Sequence, residues 1–135
     1  MRKFKGRIIT PGTAKATAVV THEGFNTLAS MQMGLQFGDK QVKCGDQNNS
    51  ELHGKPLIGK ALCLPQTIGS TTGGLVLYCA CSMGKNPACM LFSGHIDSLA
   101  AAGAIIADVW VDGVNMPVID SLASAVSILA SVLLD

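Results

Sequence analysis

Lys60-Ala61-Leu62-Cys63-Leu64-Pro65, Ile68-Gly69-Ser70-Thr71-Thr72-Gly73-Gly74 and Leu75-Val76-Leu77-Tyr78-Cys79-Ala80-Cys81-Ser82-Met83 follow one another almost without a spacer. The first is a short apolar run closed by proline, which predicts a buried strand; the last is a longer apolar run that stops at Gly84, which predicts a helix. Between them lies a glycine-rich cluster of hydroxyls. Glycines let a backbone turn tightly and approach a ligand, and the free N–H groups of a helix start favour an anion. A strand feeding a helix through such a loop is the unit of α/β folds. This stretch therefore sets the fold class and offers the candidate working site.

Downstream, Pro87-Ala88-Cys89-Met90-Leu91-Phe92 reads as a second buried strand between Gly84-Lys85-Asn86 and Ser93-Gly94. Asp97 to Ala102 predicts a short helix stopped near Gly103. Ile105 to Val111 and Met116 to Ile119, apolar and β-branched around Asp112-Gly113, predict further strands, and Asp120-Ser121 supplies an N-cap for a last helix. Upstream, Lys5 to Thr10 and Lys15 to Val20 predict two short strands joined by Pro11-Gly12-Thr13 as a hairpin or close corner. From His22 to Pro56 the pattern dissolves into a long polar loop, a length at which irregular segments are often functional. No repeat or linker divides the chain, so residues 1–135 read as one α/β domain.

The chain has 135 residues, 48% of them hydrophobic, and a net charge of +1. A balance near zero argues against nucleic acid as a partner. The charges are uneven: residues 1–60 carry nine Lys or Arg against four Asp or Glu (+5), residues 61–135 one against five (−4). So apolar a second half is either deeply buried or covered by another chain. The basic start is not followed by the apolar run of a signal peptide, which predicts a cytoplasmic protein. Ser121 to Leu134 falls short of the roughly 20 residues of a membrane span. Cysteines 44, 63, 79, 81 and 89 form no CxxC pair, so they read as small buried hydrophobes rather than disulfides or a zinc site.

Ser70 sits where a hydroxyl would leave the carboxyl end of a strand, the place where open α/β sheets keep ligands. Helix capping by Ser70, Thr71 or Thr72 is the structural alternative, at even weight. No Lys follows the glycines as in a phosphate loop, and neither GxSxG nor GxGxxG is present. What remains is an anion-friendly loop without its own general base. His95 and Asp97 lie together at a helix start, where capping by Ser93 and Asp97 outweighs a catalytic reading. His22 and His53 read as exposed, and Tyr78 and Trp110 as core or interface aromatics.

Taken in order, Gly6-Arg7, His53-Gly54-Lys55, Gly59 to Pro65, Gly69-Ser70-Thr71-Thr72 and Ile96-Asp97-Ser98-Leu99-Ala100-Ala101-Ala102-Gly103-Ala104-Ile105 resemble the small, swivel-domain subunit of the aconitase X dehydratases, over roughly residues 5–120. The resemblance implies a swivel domain, a layered or barrel-like sheet core flanked by short helices. It also implies a large-subunit partner that carries an iron or iron–sulfur centre, and a small hydroxy-acid substrate. Ser70 would then take the proton α to the substrate carboxylate, and Gly69, Thr71 and Thr72 would hold the carboxylate or developing enolate. No Arg occurs after Arg7, unlike the arginine beside the serine of aconitases, which sets citrate-like substrates aside. The resemblance favours dehydration of cis-3-hydroxy-L-proline to a pyrroline-2-carboxylate, with phosphomevalonate as the alternative substrate because few cations surround the loop. A phosphohistidine-type swivelling carrier, which would use His95, and a non-catalytic anion-binding module are the readings from other classes.

Overall fold

The structure, a computed structural model, describes residues 4–122. Four of its strands, β2 (Ala18–Val20), β4 (Ala61–Leu64), β6 (Cys89–Phe92) and β7 (Val118–Asp120), run parallel, and β1 (Arg7–Thr10) pairs antiparallel with β7. The sheet order is β1-β7-β6-β4-β2. A separate two-stranded parallel ladder joins β3 (Phe25–Asn26) to β5 (Thr67–Ile68). Three helices connect the parallel strands: α1 (Thr27–Gln36), α2 (Gly73–Ser82) and α3 (Ser98–Trp110). Each crossover steps in the same direction across the sheet. Right-handed connections therefore place the helices side by side on one face, with α1 against α2 and α2 against α3.

The parallel strands carry near-continuous apolar runs because the sheet is buried. Leu62, Leu64, Met90, Phe92 and Val118 share the helix-facing side and meet Leu77, Ala80, Ala100, Ala104 and Ala107 in one core. Each large side chain of this kind contributes about 1.5–3 kcal/mol by leaving water. Alanines and glycines let α2 and α3 approach backbone to backbone: a Cβ on Gly74 would stand 2.5 Å from the Leu99 carbonyl oxygen, and one on Gly103 would strike Gly74.

Three sequence expectations are corrected by this architecture. Strands β1 and β2 are no hairpin; they lie at opposite edges of the sheet. Residues 11–17 run along its amino edge between them, and seven residues at about 3.3 Å each can span the three intervening strands. The helix begun by Asp97 does not stop at Gly103 but continues to Trp110, so Ile105 to Trp110 form helix where a strand was expected. Within the segment from 22 to 56, read as one long polar loop, the chain forms β3 and α1 and buries Val42, Cys44 and Leu52. Buried Asn49 fastens it, donating from Nδ2 to Thr21 Oγ1 at 3.0 Å and accepting from the Leu52 N–H at 3.1 Å. The predicted last helix lies beyond Leu122, outside the described residues.

The apolar second half is only partly accounted for by the core. Leu75 on α2, Met83 at its C-cap and Ile105, Ile106, Val109 and Trp110 on α3 are exposed, Trp110 by 74%. Four of the five cysteines are buried and all are free, and burial pushes the Cys63 thiol up to about 12 and Cys81 to about 11. No described helix is long and apolar enough to cross a membrane.

Candidate active site

Strands β4, β6 and β7 end together at one edge, and the loops that leave β4 and β6 turn into α2 and α3 there. A shallow cavity of about 140 Å³ opens at this carboxyl edge, lined by Thr27, Thr67, Ile68, Gly69, Ser70, Gly73, Asp97, Ser98 and Leu99. The first residues of all three helices thus surround Ser70. Ladder β3–β5 brings this about, because pairing Phe25 with Thr67 and Asn26 with Ile68 sets the start of α1 beside the Ser70 loop.

Gly69 has φ +97°, the left-handed region, and a Cβ there would stand 2.6 Å from Asn26 Nδ2. Only glycine satisfies both the turn and the close approach. Ser70 is exposed and its Oγ accepts the Thr72 N–H at 3.1 Å while donating to Thr72 Oγ1 at 3.2 Å. Its carbonyl oxygen accepts the Gly73 N–H at 3.0 Å. Ser70 is therefore the residue that closes the first turn, whereas Thr72, at the N-cap position of α2, makes no side-chain cap bond. The side-chain capping anticipated for the hydroxyl cluster is not made: Ser70 Oγ bonds within the turn that precedes α2, and Ser70 lines the cavity. Thr71 and Thr72 are exposed and lie outside the lining.

Asp97 caps α3, Oδ2 accepting the Ala100 N–H at 3.1 Å, and its Oδ1 accepts the Thr67 N–H at 3.0 Å. One carboxylate thus ties the β6–α3 loop to the base of the Ser70 loop. Behind it, fully buried Asp120 accepts Arg7 Nε at 2.9 Å and Nη2 at 2.5 Å and the Ile96 N–H at 2.8 Å. The Arg7 hydrogen bonds outweigh burial and hold the Asp120 carboxyl down at about 2. Among the described residues its oxygens also accept the Ser121 hydroxyl; the helix that Asp120-Ser121 was expected to cap lies outside them. His95 is exposed, with Nδ1 3.0 Å from Ser121 Oγ. His22 and His53 are exposed as expected, and at Glu51 desolvation, the largest single effect, is overcome by the hydrogen bonds and charge of His22 together with Thr21, which hold the carboxyl below its usual range.

Sequence reasoning found Gly69 and Ser70 but not Asn26, Thr27 or Thr67. Nothing in the sequence advertised the ladder that gathers them. The Asn26-Thr27 pair before Leu28-Ala29 was a readable cap signal, since Asn26 Oδ1 accepts the Ala29 N–H at 3.1 Å. Among the described residues no three His, Cys, Asp or Glu side chains gather as a metal site. The thiols of Cys63, Cys81 and Cys89, held protonated by desolvation, do not suit cluster ligation, which takes thiolates. These residues do not fit an iron–sulfur centre of their own.

Comparison with known proteins agrees with the architecture. A family profile described as the aconitase X swivel domain matches residues 3–132. The phosphomevalonate dehydratase small subunits of Thermococcus onnurineus and Thermococcus kodakarensis are each 30% identical over 115 residues, 84% of this chain and 82% and 80% of theirs. The crystal structure of Thermococcus kodakaraensis aconitase X in its holo-form superposes with a TM-score of 0.72 at 26% identity, covering 90% of this chain and 82% of that one. A sheet of this order, helices on one face and a glycine–serine loop at its carboxyl edge accompany a match over nearly the whole length, and the chain belongs to the aconitase X swivel-domain family of dehydratases, which are hydro-lyases.

Proposed function

We propose that this chain is the small subunit of a heteromeric hydro-lyase that dehydrates phosphomevalonate, with Ser70 as the base that removes the proton α to the substrate carboxylate. The observation that carries the reading is exposed Ser70 in the lining of a cavity ringed by three helix starts. Proton removal breaks the α C–H bond; its electron pair forms the double bond as the β hydroxyl leaves. A serine hydroxyl abstracts a proton only as its alkoxide, and that anion needs donors. The Thr72 N–H already points at Oγ. The positive ends of α1, α2 and α3 favour both the alkoxide and the carboxylate it faces. Gly69 lets the backbone come close, and Thr71 and Thr72 bring hydroxyls to the rim. An iron or iron–sulfur centre belongs to the large subunit in this reading and supplies the Lewis acid for the departing hydroxyl.

The relatives' names put phosphomevalonate ahead of cis-3-hydroxy-L-proline, the substrate that the sequence had favoured. One observation keeps hydroxyproline as the second reading: neither Lys nor Arg lines the Ser70 cavity. The test is to co-express the chain with its large subunit and assay dehydration of both compounds. Turnover of phosphomevalonate that disappears with Ser70→Ala is the expected result. Full activity of Ser70→Ala would remove Ser70 from the chemistry, and turnover of hydroxyproline alone would reverse the order of the substrates.

A further inference from the structure

The cations that the loop sequence lacks are delivered by the fold. Arg7 lies 63 residues before Ser70, but antiparallel pairing of β1 with β7 sets it opposite Asp120, the last residue of β7. Arg7 therefore stands at the carboxyl edge, the same edge as Ser70. Its guanidinium gives Nε and Nη2 to Asp120, and the side chain is still 59% exposed. An arginine carries five N–H donors in a flat fork, so donors remain to face outward. His95 stands on the loop between Arg7 and the cavity. It precedes cavity-lining Asp97 by two residues, about 7 Å of extended chain. Its Nδ1 faces Ser121 Oγ at 3.0 Å, and because that hydroxyl gives its hydrogen to Asp120 Oδ1 the ring donates through Nδ1, so Nε2 offers a ligand an N–H in the imidazolium form. The serine that orients the ring is itself held at φ +59°, an unusual conformation for a side-chain-bearing residue, while its Oγ also donates to Asp120 Oδ1 at 3.2 Å.

We propose that His95 and Arg7 form an anion-recognising rim beside the Ser70 cavity, and that it takes the phosphate at the far end of the substrate from the reacting carbon. The proposal rests on the phosphorylated-substrate reading above and names the residues that would give it specificity. Two features divide the labour. Inside the cavity Asp97 contributes a negative charge already matched by the Thr67 and Ala100 N–H groups, so a dianionic phosphate is better placed outside it. At the rim, buried Asp120 anchors Arg7 and, through the Ile96 N–H, fixes the loop that carries His95. Both side chains are thus positioned before any ligand arrives, which lowers the ordering cost of binding. An arginine fork and an imidazole N–H are suited to phosphate oxygens.

The test uses the assembled two-subunit enzyme. His95→Gln is a surface change, and Arg7→Lys keeps the charge while losing the fork, so each can be made without emptying the core. Each should raise KM for phosphomevalonate about tenfold or more, the loss of one charge-assisted hydrogen bond, with kcat little changed. Calorimetric titration with inorganic phosphate should show the same weakening. If phosphomevalonate is turned over and neither KM nor phosphate binding shifts in either variant, the rim is overturned and the dehydratase reading survives. If phosphomevalonate is not turned over yet phosphate binds the wild type and is lost in His95→Gln, the rim stands and the substrate assignment falls.

Discussion

Two loops leave the same edge of the same sheet and begin neighbouring helices, yet they are built in opposite ways. The β6–α3 loop is consumed by its own structure: Asp97 caps α3 and holds Thr67, while Asp120 holds Ile96. The β4–α2 loop is held lightly. Its helix has no side-chain bond at the N-cap, its serine is exposed, and its glycine sits at φ +97° against Asn26. Donors spent on capping are unavailable to a ligand, so the tightly tied loop can act as a frame and the lightly tied one as the reactive surface. The contrast places chemistry where hydrogen-bonding capacity has been left over.

The largest expected break of this contrast is Ser70→Ala in the assembled enzyme, which should lower kcat about 10²–10⁴-fold, the usual reach of a positioned acid–base group. Ser98→Ala, at the first residue of α3 after the other loop and also lining the cavity, should leave kcat near that of the parent; equal losses from the two would erase the distinction. Next comes Gly69→Ala. A side chain there must leave the left-handed region or displace Asn26, and a cost of about 1–3 kcal/mol is expected from the strain, read as a lower denaturation midpoint together with reduced activity. Asp97→Ala removes a helix cap and should cost about 0.5–2 kcal/mol, with kcat affected less than by Ser70→Ala; a collapse of kcat without loss of stability would make the frame loop part of the chemistry.

Acid provides the smallest and most selective probe of the frame. The folded Asp120 carboxyl titrates at about 2, below its unfolded range near 4. A depressed carboxylate stabilises the fold above its unfolded value, and that contribution is lost as pH falls from about 4 through 2. Unfolding measured across this window should steepen in the parent and flatten in Asp120→Asn. A slope unchanged by the substitution would show that the Arg7–Asp120 pair carries no such linkage.

Much of this frame was legible in the sequence, and the failures have physical causes. Ala61–Leu64 and Gly73–Ser82 show in the chain because each is an unbroken apolar run bounded by proline or glycine. Asp97 shows because a capping carboxylate directly precedes an alanine-rich segment. Helix α3 was cut short because its buried positions, Ala100, Gly103, Ala104 and Ala107, are small, while large β-branched residues face outward; hydropathy then mimics a strand. Helix α1 was invisible because its inner face is Thr27, Ser30, Met31 and Leu35, half of it hydroxyls, with Gly34 pressed on Val42. That Arg7 and Ser70 share the carboxyl edge was not legible, because sequence distance cannot show which strand an edge strand will join. Only the β1–β7 pairing reveals it.

The contact between Gly74 and Gly103 carries a consequence for how such a site can vary. Where two helices meet through side chains, substitutions can slide one along the other and retune what lies at their ends. Here carbonyl and α-carbon touch directly, so the roots of α2 and α3 are riveted. A change in the spacing of the two loops would first have to break this contact, whereas the residues at their tips around Ser70 and His95 can change without disturbing it.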